Sequence, residues 1–237
     1  MVRVRFYSDA EKELRYLRLY VKMCGKSKLT DSALRFLELE DEIAKNELAR
    51  DYENKDFKSF VNNIKKSWGE IESKYFKRIV EITDYNWNTE EYECVLADNV
   101  PGFAVIPEKK VIVIGRKIRK DDVSISLPLE SQLYVLAHEL FHLHYFEVVR
   151  REDLPMEAIK MEMTETIPVI VFFYDSELPK FWPSVSLEKA KGSYNEVQDN
   201  FDSALELWNS KKNYIGFLRS FVSKLRSNNS KEHIKKR

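Results

Sequence analysis

Residues 133–143, which read LYVLAHELFHL, contain two histidines four positions apart and a glutamate directly after the first: His138, Glu139 and His142. On an α-helix, residues four apart are separated by about 40° around the axis, so both imidazoles can reach one metal ion. Glu139 then lies beside the pair, where its carboxylate can take a proton from a metal-activated water and pass it to a leaving amine. The spacing therefore predicts a zinc site with Glu139 as general base.

The residues around this stretch predict the helix that such a site needs. Apolar residues recur at three- and four-residue spacing, and neither Gly nor Pro occurs from residue 129 to residue 154. Pro128 comes directly before this run. We therefore expect one helix over residues 129–150. His144 would point about 200° away from His142, so we interpret it as a packing or hydrogen-bonding residue.

The composition is that of a globular protein. The chain has 237 residues, of which 43% are hydrophobic, enough for one large or two small domains. Lys plus Arg and Asp plus Glu number 39 each, so no net charge favours binding to nucleic acid or to a membrane. The N-terminus lacks the apolar stretch of a secretory signal, and the apolar run at residues 167–174 is too short to span a bilayer. We therefore expect a cytoplasmic protein.

Three segments are predicted along the chain: a helical N-terminal segment, a core that carries the motif, and a helical C-terminal segment with a basic tail, at residues 1–88, 89–178 and 179–237. Within the core, three short apolar runs predict a small antiparallel sheet of three strands, at residues 93–97, 103–106 and 111–114. The expected fold class is α+β and mostly helical, with this sheet packed on the histidine-bearing helix and on a second, glutamate-bearing helix.

A catalytic zinc site usually has three protein ligands, so a third ligand must come from another element. A following helix is predicted from near Leu154 toward Tyr174, and it offers Glu157, Glu162 and Glu165. The first helix continues about nine residues past His142, and a similar return at ~1.5 Å per residue comes level with the metal near residue 162. Glu162 is therefore favoured, with Glu165 and Glu157 as alternates.

Such a site also needs a donor that stabilises the oxyanion formed on the attacked carbonyl group, commonly a Tyr or His. Tyr134, Tyr145 and Tyr174 are candidates, and the sequence does not choose among them.

The order of three short strands, a helix bearing HELFH and a helix with a ligand glutamate resembles the gluzincin group of zinc metallopeptidases. It is especially similar to the small minigluzincins and to phage-type anti-repressor peptidases, over about residues 90–178. The resemblance implies a zincin-like fold and zinc bound by His138, His142 and one helix glutamate. It also implies a peptide or protein substrate that lies antiparallel to one of the predicted strands. Many relatives follow the ligand glutamate with Ala and then Asp or Asn. Only Glu157-Ala158 matches part of that pattern.

The leading hypothesis from the sequence is a zinc-dependent metalloendopeptidase acting on an extended polypeptide. The alternative is a catalytically inactive zincin-fold protein that serves as a binding or interaction module. A third hypothesis is latency, in which the flanking helical segments cover the cleft until they are moved or cut.

Overall fold

The computed structural model describes residues 2–26, 29–100, 103–105, 110–120, 123–191 and 195–235. The helices are α1 (Ala10–Cys24), α2 (Asp31–Glu38), α3 (Asp41–Tyr52), α4 (Lys55–Thr83), α5 (Leu129–Arg151), α6 (Met161–Tyr174), α7 (Leu187–Lys191), α8 (Asn195–Ser210) and α9 (Tyr214–Lys235). The strands are β1 (Arg3–Tyr7), β2 (Glu91–Ala97), β3 (Phe103–Val105), β4 (Val111–Gly115), β5 (Lys117–Lys120) and β6 (Val123–Ser126). Short 3-10 helices occupy Met156–Ile159 and Leu178–Phe181.

Contacts between residues group the chain into two compact units, which we describe separately. The first unit contains Met1–Lys74 and Thr89–Leu140, and the second contains Tyr75–Asn88 and Phe141–Arg237. The three segments drawn along the sequence remain a prediction. In the part of the chain that the structure describes, no helix is both long enough and apolar enough to cross a membrane.

The main sheet differs from the predicted one, and the expectation of a three-stranded antiparallel sheet is wrong. Its strand order is β1-β2-β4-β3. Strands β1 and β2 pair in parallel, as do β2 and β4, while β3 is antiparallel to β4 at the edge. The chain therefore leaves β2, forms the edge strand β3, and returns between them as β4. Strands β5 and β6 form a separate antiparallel pair.

The burial of β4 gives the physical reason for this difference. Every residue of β4 is buried. An antiparallel strand with one solvent-exposed face would instead alternate between apolar and polar residues. Val111 and Val113 join the apolar cluster of α1, α2 and α3, and Ile112 and Ile114, which alternate with them, are equally buried. The continuous apolar run is thus the signature of a parallel strand covered on both faces.

The second unit is built around α6, which contacts α8, while α8 contacts α9. Buried apolar residues cover much of α6, namely Ile167, Val169, Ile170, Val171 and Phe172. Pro168 lies inside this helix. From Ile167 onward the helix is buried on most sides, and its sequence there is apolar almost all round rather than amphipathic.

Candidate metal centre

Helix α5 carries both histidines and the adjacent glutamate, and it confirms the helix predicted over residues 129–150. Its first turn follows Pro128, whose carbonyl accepts a hydrogen bond from the Gln132 amide. The side chains of His138, Glu139 and His142 are all buried. The helix is therefore a core element that buries these three polar side chains at one place.

The three polar side chains converge on that place. One ligand atom from each of His138, Glu139 and His142 lies within 4.8 Å of the others. Imidazole nitrogens and carboxylate oxygens are the donors that zinc takes in proteins. The arrangement that the spacing predicts is thus present in the folded helix.

Glu165 of α6 lies against the second histidine. Its Oε1 is 3.4 Å from Nε2 of His142, and both residues are buried. Two ligand atoms at about 2.0–2.1 Å from a tetrahedral zinc ion are roughly 3.3 Å apart, so this separation fits a shared ion. The donor chemistry and the spacing of this pair therefore both suit zinc.

The other two candidate glutamates are placed differently. Glu157 lies on the 3-10 helix, and its carboxylate accepts a hydrogen bond of 2.9 Å from Arg226, which lowers the pKa of Glu157. Glu162 lies in α6, but its side chain is outside the described part of the structure. The choice among the three glutamates remains a prediction.

Glu162 is favoured only if a helix begins near Leu154, and that expectation is wrong. The chain instead forms a turn and the 3-10 helix Met156–Ile159, and α6 begins only at Met161. A 3-10 helix rises by about 2.0 Å per residue rather than 1.5 Å, and the turn adds irregular backbone. Counting residues from Leu154 therefore does not locate the residue that comes level with His142.

His144 takes part in a separate hydrogen-bonded group. Its Nε2 is 3.0 Å from Oγ1 of Thr83, and that hydroxyl gives its one hydrogen to the Ile79 carbonyl. Because the hydroxyl must then accept from the histidine, Nε2 of His144 carries a proton and has no lone pair for a metal. Burial, with a smaller contribution from Arg151, lowers the pKa of His144 to about 3. His144 is therefore a neutral packing residue.

The three candidate tyrosines have different surroundings. The Tyr145 hydroxyl donates to the Ala158 carbonyl, and burial raises the pKa of Tyr145. Tyr174 is exposed at the end of α6. The Tyr134 ring lies next to the imidazole of His138. Phe146 is not among the candidates taken from the sequence, although its ring lies beside His142. Its position four residues after His142 was the available signal.

Comparisons with known proteins assign no family to this chain. No protein-family model, curated protein sequence or solved structure matches the chain.

Proposed function

We propose that this chain is a zinc-dependent peptidase. The observation that carries the proposal is the convergence of His138, Glu139 and His142 on one buried helix, with ligand atoms within 4.8 Å of one another. The Glu165 carboxylate against His142 supports it, because it supplies the third ligand that a catalytic zinc site needs.

The residues take distinct roles in this proposal. His138 and His142, one helical turn apart, would hold the ion together with Glu165, whose carboxylate lies beside His142, and Glu139 would act as the base. Zinc bound there supplies Lewis-acid chemistry, since it polarises a carbonyl group and lowers the pKa of a water molecule. Glu139 accepts a proton from the attacking water and delivers it to the leaving nitrogen. The burial of Glu139 strengthens its electrostatic interactions at the site.

The main sheet supports an extended peptide as the substrate. At one edge, the outward amide of Val4 in β1 donates to Oε1 of Glu72, 2.7 Å away, and that same oxygen accepts from the Trp68 indole. This edge is therefore occupied by side chains of α4. At the other edge, the strand partner of β3 among the described residues is β4. We propose that the substrate backbone pairs with β3.

The decisive variant is Glu139→Gln, which preserves shape but cannot accept a proton. We expect it to retain stoichiometric zinc and to lose hydrolysis by at least ~10²-fold, because general base catalysis contributes about 10²–10⁴-fold. Zinc is measured by elemental analysis. Hydrolysis is measured on a mixed library of extended peptides, with new termini read by mass spectrometry.

Two further proteins complete this experiment. His142→Ala should lose zinc, whereas Glu157→Gln, which removes a carboxylate already paired with Arg226, should keep both zinc and activity. An unchanged rate in Glu139→Gln contradicts the mechanism. A wild-type protein that binds zinc but cleaves no peptide supports the interaction module instead.

A further inference from the structure

Two aromatic residues of α5 continue the spacing of the histidine pair. Tyr134 precedes His138 by four positions, and Phe146 follows His142 by four positions. Each four-residue step turns by about 40°, so neighbouring rings remain on one side of the helix. The ring centroids of Tyr134 and His138 are 5.9 Å apart, and those of His142 and Phe146 are 6.5 Å apart. Each histidine thus has an aromatic neighbour on the side away from the other histidine.

The direction of helical side chains decides how these rings support each other. Side chains on a helix lean toward its N-terminus, so His138 leans onto Tyr134 and Phe146 leans onto His142. The ring planes are tilted by 48° in the first pair and by 44° in the second. Aromatic pairs at such separations contribute about 0.5–1.5 kcal/mol beyond area burial. Each contact therefore disfavours rotation of the imidazole away from its neighbour.

We propose that Tyr134 and Phe146 are positioning residues that hold the imidazoles of His138 and His142 in the orientation that binds metal. This inference rests on the zinc site proposed above. An imidazole that is already held in place loses less conformational entropy on binding. Both aromatic side chains are only partly buried, so their truncation removes less buried apolar surface than the truncation of a core ring.

The test measures metal binding by the full-length chain without any enzymatic assay. Zinc affinity is obtained by competition with a chromophoric chelator, and Co²⁺ replaces zinc for absorption spectra. Tyr134→Ala and Phe146→Ala are each expected to weaken zinc binding by roughly 10-fold, the lower end of the effect of groups that orient metal ligands. The Co²⁺ d–d bands should become weaker or shift, because the ligands are less well oriented.

The double variant gives a sharper expectation. The two aromatic residues are roughly 18 Å apart along the helix axis, so their effects should be additive in free energy and reach roughly 100-fold. Tyr134→Phe and Phe146→Tyr keep the rings and should restore wild-type affinity. The first of these also separates the ring from any role of the Tyr134 hydroxyl.

A matched control breaks an aromatic pair elsewhere. Tyr174 and Phe201 have ring centroids 6.1 Å apart and a tilt of 50°, so Tyr174→Ala removes a similar contact on α6. It should leave zinc affinity unchanged, and circular dichroism of the metal-free proteins checks folding. If both α5 alanine variants bind zinc with wild-type affinity, the positioning role is overturned, although the zinc site itself is not. The same conclusion follows if Tyr174→Ala weakens zinc binding as much as they do. A wild-type chain that binds no zinc overturns the proposed function itself.

Discussion

The carboxylate of Glu13 is fully buried in the first unit, where it joins three elements. It accepts hydrogen bonds from the Tyr52 hydroxyl of α3 at 2.6 Å and from the amides of Asp98 and Asn99 at 2.9 Å and 3.0 Å. Asp98 in turn pairs with Lys117 at 2.8 Å. Burial raises the pKa of Glu13 to about 6, although the hydrogen bonds oppose this shift. A single carboxylate of α1 therefore fixes the chain where it leaves β2 for the edge strand.

This shift makes the stability of the protein depend on pH. The folded state holds the Glu13 proton up to about pH 6, while the unfolded state releases it near 4.5, so stability falls as pH rises through that window. The loss is about 2 kcal/mol, from a shift of roughly 1.5 units. The quantity to compare is the difference between the free energies of unfolding of the wild type and of Glu13→Gln. We predict that this difference decreases by about 2 kcal/mol between about pH 4 and about pH 7.5.

The measurement is urea unfolding of both proteins across the pH range. Glu11→Gln, which changes an exposed carboxylate on the same helix, serves as the control for removing a carboxylate from α1. A difference for Glu13→Gln that does not change with pH would contradict the prediction.

Among the secondary-structure elements, the positions of the strands were predicted more accurately from the sequence than the pairing between them. The three apolar runs at residues 93–97, 103–106 and 111–114 correspond to β2, β3 and β4, apart from Ile106, which lies outside the described residues. Strand β1 was not anticipated, although its exposed Arg3 and Arg5 alternate with buried Val4. Helix α4 lies within the N-terminal segment that the sequence predicts to be helical, and it runs through Gly69 without interruption.

Gly115 ends β4 at a place where no side chain fits. A Cβ built on it would lie 1.7 Å from the Val100 carbonyl oxygen, a buried backbone atom that cannot move independently of its loop. We predict that Gly115→Ala destabilises the protein by about 3 kcal/mol or more, because the loop after β2 must move away from β4. The free energy of unfolding in urea measures this effect.

Gly69 provides the matched control for Gly115. A Cβ added there meets nothing within 4 Å, and alanine is favoured over glycine inside a helix. Gly69→Ala should therefore be neutral or stabilising by up to ~1 kcal/mol. Similar destabilisation by both substitutions would contradict the close approach of Val100 to Gly115.

For the molecule as a whole, the proposed zinc site makes the stability of the folded chain depend on zinc binding. Its ligands come from α5 and α6, and the unfolded chain does not bring these helices together. A ligand that binds only the folded state raises stability by mass action, by about 2.7 kcal/mol at a concentration 100 times its dissociation constant. Zinc should therefore act as a stabilising ligand even without substrate.

We predict that saturating zinc raises the melting temperature of the wild type by about 5–10 °C, as expected for a chain of this size. Glu165→Gln should lose most of this increase, because it removes the carboxylate that lies against His142. Glu157→Gln should keep it. Scanning calorimetry with and without zinc measures all three proteins. The opposite ranking of the two variants would exclude Glu165 as the ligand and favour Glu157.

The sequence alone predicted the helix that carries His138, Glu139 and His142, because helical periodicity and four-residue spacing are properties of a short continuous segment. It also predicted that His144 is a packing or hydrogen-bonding residue, since the angle between positions 142 and 144 follows from the helix alone. Three features became known only from the folded chain: the parallel pairing of β2 and β4, the addition of β1 to their sheet, and the position of the Glu165 carboxylate beside His142. These features depend on contacts between residues far apart in the chain. The position of Glu165 could not be found by counting residues, because a turn and a 3-10 helix precede α6.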